Sequence, residues 1–300
     1  MENVLFSIVI PVWNVEKYIE ECLESVLNQT ITNVEVICVD DCSEDNSLAI
    51  LHRYAGEDER VKVIELKENM STLIARKRGV EAAKGNYIMF VDADDRIDYN
   101  CCETLKELLR EHPVDILHFG TNVVNVNNLP KQRITTLQEF MEPYGGYLYD
   151  EEVFLTCFRD GKYRFSLCNK VCSAELCKKA FLKVKEDKSC KGEDKYTYFI
   201  LSYYAKSYYG VKEYRPYYYN YGNGGYGQRY ISLEYFERYC TMGKVAQAMK
   251  EFLVAENRLE QYKDTYEKSK RELLMDCVNQ WRNHLASEDK AVGFEIMHRY

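Results

Sequence analysis

No stretch of the 300 residues reaches 18 uninterrupted apolar positions, and Met1-Glu2-Asn3 has no basic start of a secretory signal. On those grounds neither a membrane-spanning helix nor export is expected. No G-x-G-x-x-G follows the first apolar run and no G-x4-G-K-[ST] occurs anywhere, which argues against dinucleotide dehydrogenases and P-loop NTPases. Positive charge is in deficit, with 40 Lys and Arg against 48 Asp and Glu and a net charge of −8, so a general nucleic-acid binder is not expected. The twelve cysteines contain no C-x2-C pair. Their densest group, Cys168-x3-Cys172-x4-Cys177 with Cys190 beyond, lacks zinc-knuckle spacing, and in a chain without export buried free thiols are expected. No internal repeat is present.

What is present is a globular composition, 46% hydrophobic and 29% charged, at a length that suits one large or two small domains. The negative charge is concentrated. Residues 1–100 hold 20 acids and 10 bases, residues 101–229 hold 16 and 19, and residues 230–300 hold 12 and 11. Within the first hundred, strand-like runs (Phe6 to Val12, Val34 to Val39, Val61 to Leu66, Tyr87 to Val91) alternate with helical patterns. Those patterns are Val15 to Gln29 with Asn14 as N-cap, Ser43 to Tyr54, and Ser71 to Ala83 stopped at Gly85. Nearly continuous apolar strands separated by helices predict an α/β, Rossmann-like, mostly parallel sheet with helices on both faces.

Cys101 to Arg110 and Val114 to Phe119 extend the alternation, and 120–165 is less regular, with turn signals at Asn127-Asn128, Pro130 and Gly145-Gly146. Ala174 to Phe181 and Asp194 to Ala205 read as helices, and Val211 to Tyr221 as one Tyr-rich strand. After the GNGGYG break at 222–227, Ser232 to Ala255 and Arg258 to Ala286 read as long amphipathic helices.

Ligands of open parallel sheets bind beyond the carboxyl ends of the strands. Three polar clusters fall there: Pro11-Val12-Trp13-Asn14, Asp40-Asp41-Cys42-Ser43 and Asp92-Ala93-Asp94-Asp95. One alone reads as turn chemistry; three on one sheet edge point to a site. Asp92, Asp94 and Asp95 repel one another at close range, so a compensating cation is expected, and oxygen ligands favour Mg²⁺ or Mn²⁺.

FSIVIPVWNVEKYIEECLESVLNQT, then EVICVDDCSEDNSL, then ARKRGVEAAKGNYIMFVDADD, resembles the family 2 glycosyltransferases, which have a GT-A fold. The likeness runs in order over about residues 5–100 and departs mainly at Cys42, where family members commonly carry Gly. It continues more weakly through SLCNKVCSAEL (166–176) and KGEDKYTYFILSYYAKSYYG (191–210). The last seventy residues carry no family motif.

The resemblance implies an inverting transfer from a nucleotide-sugar donor, with UDP as the expected nucleotide. Pro11 and Trp13 would line the nucleoside pocket, Asp41 would accept from the base, and Asp40 would support the strand end. Ser71 and Arg76 join this donor side, Arg76 because the family often has Arg there. Asp92-x-Asp94 corresponds to the family's D-x-D, with Asp94 on the metal (Mn²⁺ or Mg²⁺), Asp92 toward the ribose or donor sugar, and Asp95 capping the turn. Glu193-Asp194 matches the late Glu-Asp pair in which the Asp is general base. Glu193, Asn169 and Lys170 are the acceptor-side candidates, although the Asn-Lys pair also suits a structural role. Residues 196–239 hold 15 of the 26 tyrosines, which suits either a packed domain edge or an acceptor groove. The basic stretch 159–195, with 11 bases and 6 acids, suits a solvated face or a phosphorylated acceptor.

The expected organisation is a GT-A domain over 1–225, split into a nucleotide-binding half (1–100) and an acceptor-binding half (101–225), with a C-terminal helical region at 226–300. The partners expected are a nucleotide-sugar and a glycan or lipid-linked acceptor, with a homodimer through the C-terminal helices as an option. The expected location is cytoplasmic, with peripheral placement at the inner face of the membrane as an option. Gln228-Arg229-Tyr230 does not supply the Q-x-x-R-W of processive synthases, so limited addition is expected. A sugar-phosphate nucleotidyltransferase would need a Gly-x-Gly-Thr-Arg loop after the first strand, which is absent. A non-catalytic sugar-nucleotide or glycan-binding module stays open.

Overall fold

The computed structural model describes residues 4–126, 129–188, 191–222 and 230–300. The turn signal Asn127-Asn128, Cys190, most of the glycine-rich break and Gln228-Arg229 lie outside the described residues. The first ninety residues run β1 (Phe6–Val12), α1 (Ile19–Leu27), β2 (Val34–Asp40), α2 (Ser47–Glu57), β3 (Val61–Glu65), α3 (Thr72–Ala82) and β4 (Tyr87–Phe90). Next come β5 (Arg96–Ile97), α4 (Cys101–Glu111), β6 (Ile116–Phe119), β7 (Thr121–Asn125), α5 (Lys131–Phe140), β8 (Gly146–Tyr149) and α6 (Glu151–Phe158). β9 (Lys170–Ser173), α7 (Ala174–Phe181), α8 (Glu193–Tyr204), β10 (Ser207–Val211) and β11 (Tyr217–Tyr221) follow. The chain closes with α9 (Leu233–Cys240), α10 (Met242–Ala255), α11 (Lys263–Asn283) and α12 (Lys290–Met297).

The large sheet has the order β3-β2-β1-β4-β9-β6-β10-β8. β1 to β4 are mutually parallel and β6 is parallel to β10, while β9 is antiparallel to both its neighbours and β8 to β10. A smaller sheet, β5-β11-β7, stands at the carboxyl edge. The mostly parallel α/β expectation holds. All seven residues of β2 are buried, as a strand covered on both faces requires. Helix α3 lies unusually close to the sheet, because Gly79 has no Cβ; one added there would fall 2.3 Å from Val9 Cγ1. That approach sinks α3 until even Arg76 and Lys77 are buried.

Four sequence expectations are corrected. Asn14 is not the N-cap of α1, which begins only at Ile19; with φ at 52° it accepts from the Glu44 N–H through Oδ1 at 2.7 Å. Helix α2 begins at Ser47 because 43–46 is a loop stitched to Asn14 and Glu16. The Tyr-rich strand is two strands, β10 and β11, in different sheets. Ser232 to Ala255 breaks at Thr241 into α9 and α10. The C-terminal helices pack into the main core, where Phe236, Met249, Phe252 and Leu273 join Phe154 and Phe199 in one buried cluster. Among the described residues no helix is long and apolar enough to cross a membrane. All eleven described cysteines are free, and ten of them are buried.

Candidate active site

The three polar clusters do meet. A cavity of about 930 Å³ opens at the carboxyl ends of β1, β2 and β4, and Pro11, Trp13, Asp41, Arg76, Asp92 and Asp94 all line it. Glu193 and Asp194 enter the same cavity from the first turn of α8. Gly192 makes that entry possible: it takes φ 82°, in the left-handed region that favours glycine.

Arg76 is the hinge of the arrangement. Its Nη2 donates to Asp92 Oδ1 at 2.8 Å, and its Nη1 donates to Asp194 Oδ1. A guanidinium is the side chain that can hold two carboxylates at once in fixed geometry. Its side chain is only 4% exposed; burial opposes its charge, but Asp194 and Asp92 outweigh that and hold its pKa above the ordinary value. Residues 118 positions apart in sequence are thereby tied into one constellation.

One guanidinium does not neutralise the carboxylates gathered here. Burial, then Asp92, pushes Asp94 up to about 6. Burial, then Asp194, pushes Glu193 up to about 7. Asp95 rises well above its ordinary range from burial and from Asp94 and Asp92. The site is thus short of positive charge. Asp95 has a structural task, accepting from Tyr217 Oη at 2.7 Å and from the Asn220 N–H at 2.7 Å; the Tyr217 hydroxyl in turn accepts from the Asp92 N–H at 3.1 Å. Strand β11 therefore props the acidic turn from above.

Asp94 is different. Its carboxylate has no hydrogen bond or ion pair from another described residue and faces the cavity. Among the described residues no group of three or more His, Cys, Asp or Glu could hold a metal by itself. One free carboxylate beside a second is nonetheless the donor set that Mg²⁺ or Mn²⁺ uses when substrate phosphates complete the shell. The residues present fit such an ion.

Asp41 is buried and already accepts the N–H groups of Met70 at 2.6 Å and Ser71 at 2.8 Å; burial still raises its pKa. Asp40 and Ser71 do not line the cavity. Asp40 sits behind it, accepting from the Ser43 N–H at 3.0 Å, which suits its expected support of the strand end. Ser71 is buried before α3 with φ 94° and ψ 157°. Asn169 and Lys170 do not line the cavity; both are buried beside it and bonded locally. Asn169 joins Ser166 Oγ and Met141 O, and the Lys170 ammonium donates to the Arg164, Ser166 and Asn169 oxygens. These bonds hold the 164–169 loop, which suits the structural role.

Cys42 explains its own departure from the family pattern. Its φ is 62°, in the left-handed region where glycine is unstrained, and its side chain is exposed. Sequence reasoning missed the part played by the C-terminal helices. Leu273 and Asp276 of α11 and Met242 of α10 line the cavity, and Arg238 of α9 lies over the Trp13 ring at 5.2 Å. No motif marked them; the only signal was amphipathic helical spacing. The Tyr-rich segment divides, with Tyr198, Tyr208 and Tyr217 buried and Tyr219 and Tyr221 lining the cavity.

The model of the family described as Glycosyl transferase family 2 matches residues 7–171, a span that includes Asp41, Arg76, Asp92 and Asp94 but ends before Asp194. The glycosyltransferase GlyG of Streptococcus pneumoniae is 40% identical over 113 residues, 38% of this chain and 38% of that protein. The chain thus matches well under half the length of this relative. Among solved structures, S. aureus TarS 1-349 in complex with UDP aligns with a TM-score of 0.59 at 23% identity, covering 85% of this chain and 71% of that one. The mannosyltransferase PcManGT from Pyrobaculum calidifontis, in complex with GDP-Man and Mn²⁺, aligns with a TM-score of 0.54 at 14% identity, covering 100% and 81%. At those identities the two structures speak to the fold.

Proposed function

The chain belongs to glycosyl transferase family 2, and from that premise we propose that it moves one sugar, with inversion, from a nucleotide-sugar to a hydroxyl of a glycan or lipid-linked acceptor. The observation that carries this reading is the Arg76 bridge, which joins the D-x-D turn to the Glu193-Asp194 pair inside one cavity. The ligands of the two fold relatives, UDP and GDP-Man with Mn²⁺, support a nucleoside diphosphate donor.

In this reading Pro11 and Trp13 hold the nucleoside, and Asp41, fixed by the 70–71 backbone, accepts from the base. UDP is our choice of nucleotide. Asp94, with Asp92 beside it, would hold a divalent cation that neutralises the diphosphate leaving group. Asp194 is the general base. Its Oδ1 is taken by Arg76, which fixes the carboxylate and leaves Oδ2 to receive the acceptor proton. The acceptor oxygen bonds to the anomeric carbon as the bond from that carbon to the diphosphate oxygen breaks on the other face, which inverts the configuration. The absence of Q-x-x-R-W favours limited rather than processive addition.

Thermal-shift measurements with UDP-, GDP-, CDP- and dTDP-sugars, with and without Mn²⁺, test the donor side. Asp94→Ala is expected to erase the Mn²⁺-dependent part of the UDP shift, and equal shifts with and without Mn²⁺ in the wild type would remove the metal role. Asp194→Asn is expected to bind donor as the wild type does and to lose transfer by about 10³-fold or more. Retained transfer would sink the base assignment.

A further inference from the structure

A second, smaller cavity of about 290 Å³ lies beside the first, lined by Gln132, Arg133, Thr136, Leu137 and Phe140 of α5 and by Tyr221 of β11. Leu137, Phe140 and Tyr221 line both cavities. The two therefore adjoin along a shared wall, and the smaller one is the channel beside α5 and β11. The α5 residues follow helical spacing on one face. No residue of α5 is fully buried; Leu137 and Phe140 pack partly against the core, while Gln132, Arg133 and Thr136 are exposed.

The chemistry of the wall is mixed. Phe140 meets Phe165 edge-on at 5.6 Å, and Tyr219 and Tyr221 stack at 6.3 Å across from it. Between these rings stand a hydroxyl (Thr136) and an amide (Gln132). Aromatic faces interleaved with hydrogen-bonding groups suit sugar rings, which have apolar faces and polar edges. The Thr136 hydroxyl already donates to the Gln132 carbonyl at 3.0 Å, and its oxygen and the Gln132 amide are left to pair with sugar hydroxyls, which an alkyl chain lacks.

Two guanidiniums set the charge. Arg133 lines the second cavity and has no ion pair among the described residues. Arg164, which lines the first cavity, lies over the Phe140 ring at 5.6 Å and likewise has no carboxylate partner among the described residues. The nearby Glu142 is already paired with Arg215. Unpaired guanidiniums beside a carbohydrate-like surface recognise carboxylate or phosphate oxygens.

We propose that the channel along α5 is an acceptor subsite that holds the part of an acidic glycan beyond the sugar being modified, with Arg133 and Arg164 on its carboxylates or phosphates. This rests on the transferase reading above and names the class of acceptor it uses. The carboxylate-bearing and phosphate-bearing sources share one chemistry, anionic oxygen spaced along a polyhydroxy chain.

The test titrates the whole 300-residue chain with a galacturonic acid tetramer and a glycerol-phosphate tetramer, with maltotetraose as the neutral control, while UDP binding is followed in parallel. At least one acidic tetramer is expected to bind about tenfold tighter than maltotetraose. Arg133→Ala is expected to weaken it about tenfold, and Thr136→Trp, on an exposed face of α5, to block it. Neither variant is expected to alter UDP affinity. Whichever tetramer binds identifies the anionic group. Equal binding of maltotetraose, wild-type affinity in both variants, or no binding of either acidic tetramer would overturn the subsite. Competition by decanol, which has the alkyl chain and no anionic group, would also overturn it, reassigning the channel to a lipid tail. Absent UDP binding in the wild type would instead strike at the transferase reading itself.

Discussion

Arg76 is buried and holds the Asp92 and Asp194 carboxylates at once. Lysine at this position supplies one compact charge and can meet only one of them well. Arg76→Lys is therefore expected to lower kcat by about 100-fold with donor KM changed far less, and steady-state kinetics would read this split. A raised donor KM with kcat unchanged would mean that Arg76 serves donor binding alone. Glu193 offers a pH test. Its pKa is raised to about 7 by burial and Asp194, so between its ordinary value and 7 the folded state binds more protons than the unfolded one. Its contribution to stability therefore falls as pH rises through that window. Glu193→Gln is expected to raise Tm by a few degrees (about 2–4 °C) at pH 7.5 and to leave it near wild type at pH 5. A gain that is the same at both pH values would refute the shift.

At the scale of elements, the site depends on how α3 and α8 begin. Ser71 precedes α3 at φ 94° and ψ 157°, a region that is essentially restricted to glycine and costs about 1–3 kcal/mol. Ser71→Gly is expected to stabilise the protein by about 1 kcal/mol in denaturant unfolding. A destabilised variant would mean that the Ser71 hydroxyl carries more than the backbone strain costs. These element starts are also where sequence reading was weakest. The strands β1 to β4 were legible because buried parallel strands are continuous apolar runs, and the D-x-D and Asp40-Asp41 clusters because they end such runs. Asn14, by contrast, satisfied the N-cap pattern yet binds the 44 backbone instead, since a local signal does not reveal a loop thirty residues away. Likewise the sequence left Asn169 and Lys170 open between an acceptor-side and a structural role, and only packing shows that both are bonded locally.

At the scale of the molecule, the C-terminal helices were legible as helices and opaque as to place. Nothing in their spacing says that Leu273 and Asp276 wall the reaction cavity or that Arg238 covers Trp13. They share one buried cluster with α6 and α8, so removing them exposes the helix that presents Asp194. A chain ending at residue 229 is expected to lose its cooperative unfolding transition and its near-UV circular dichroism. A truncated chain that unfolds cooperatively with wild-type donor binding would show that residues 230–300 are dispensable to the fold. One exposed thiol adds a practical point. Cys42, on the left-handed turn after β2, is the only exposed cysteine among the eleven described, and it is the neighbour of Asp41. Because the other ten described cysteines are shielded by packing, a maleimide fluorophore has a native attachment point beside the cavity-lining Asp41, from which emission would report ligand occupancy without changing a residue.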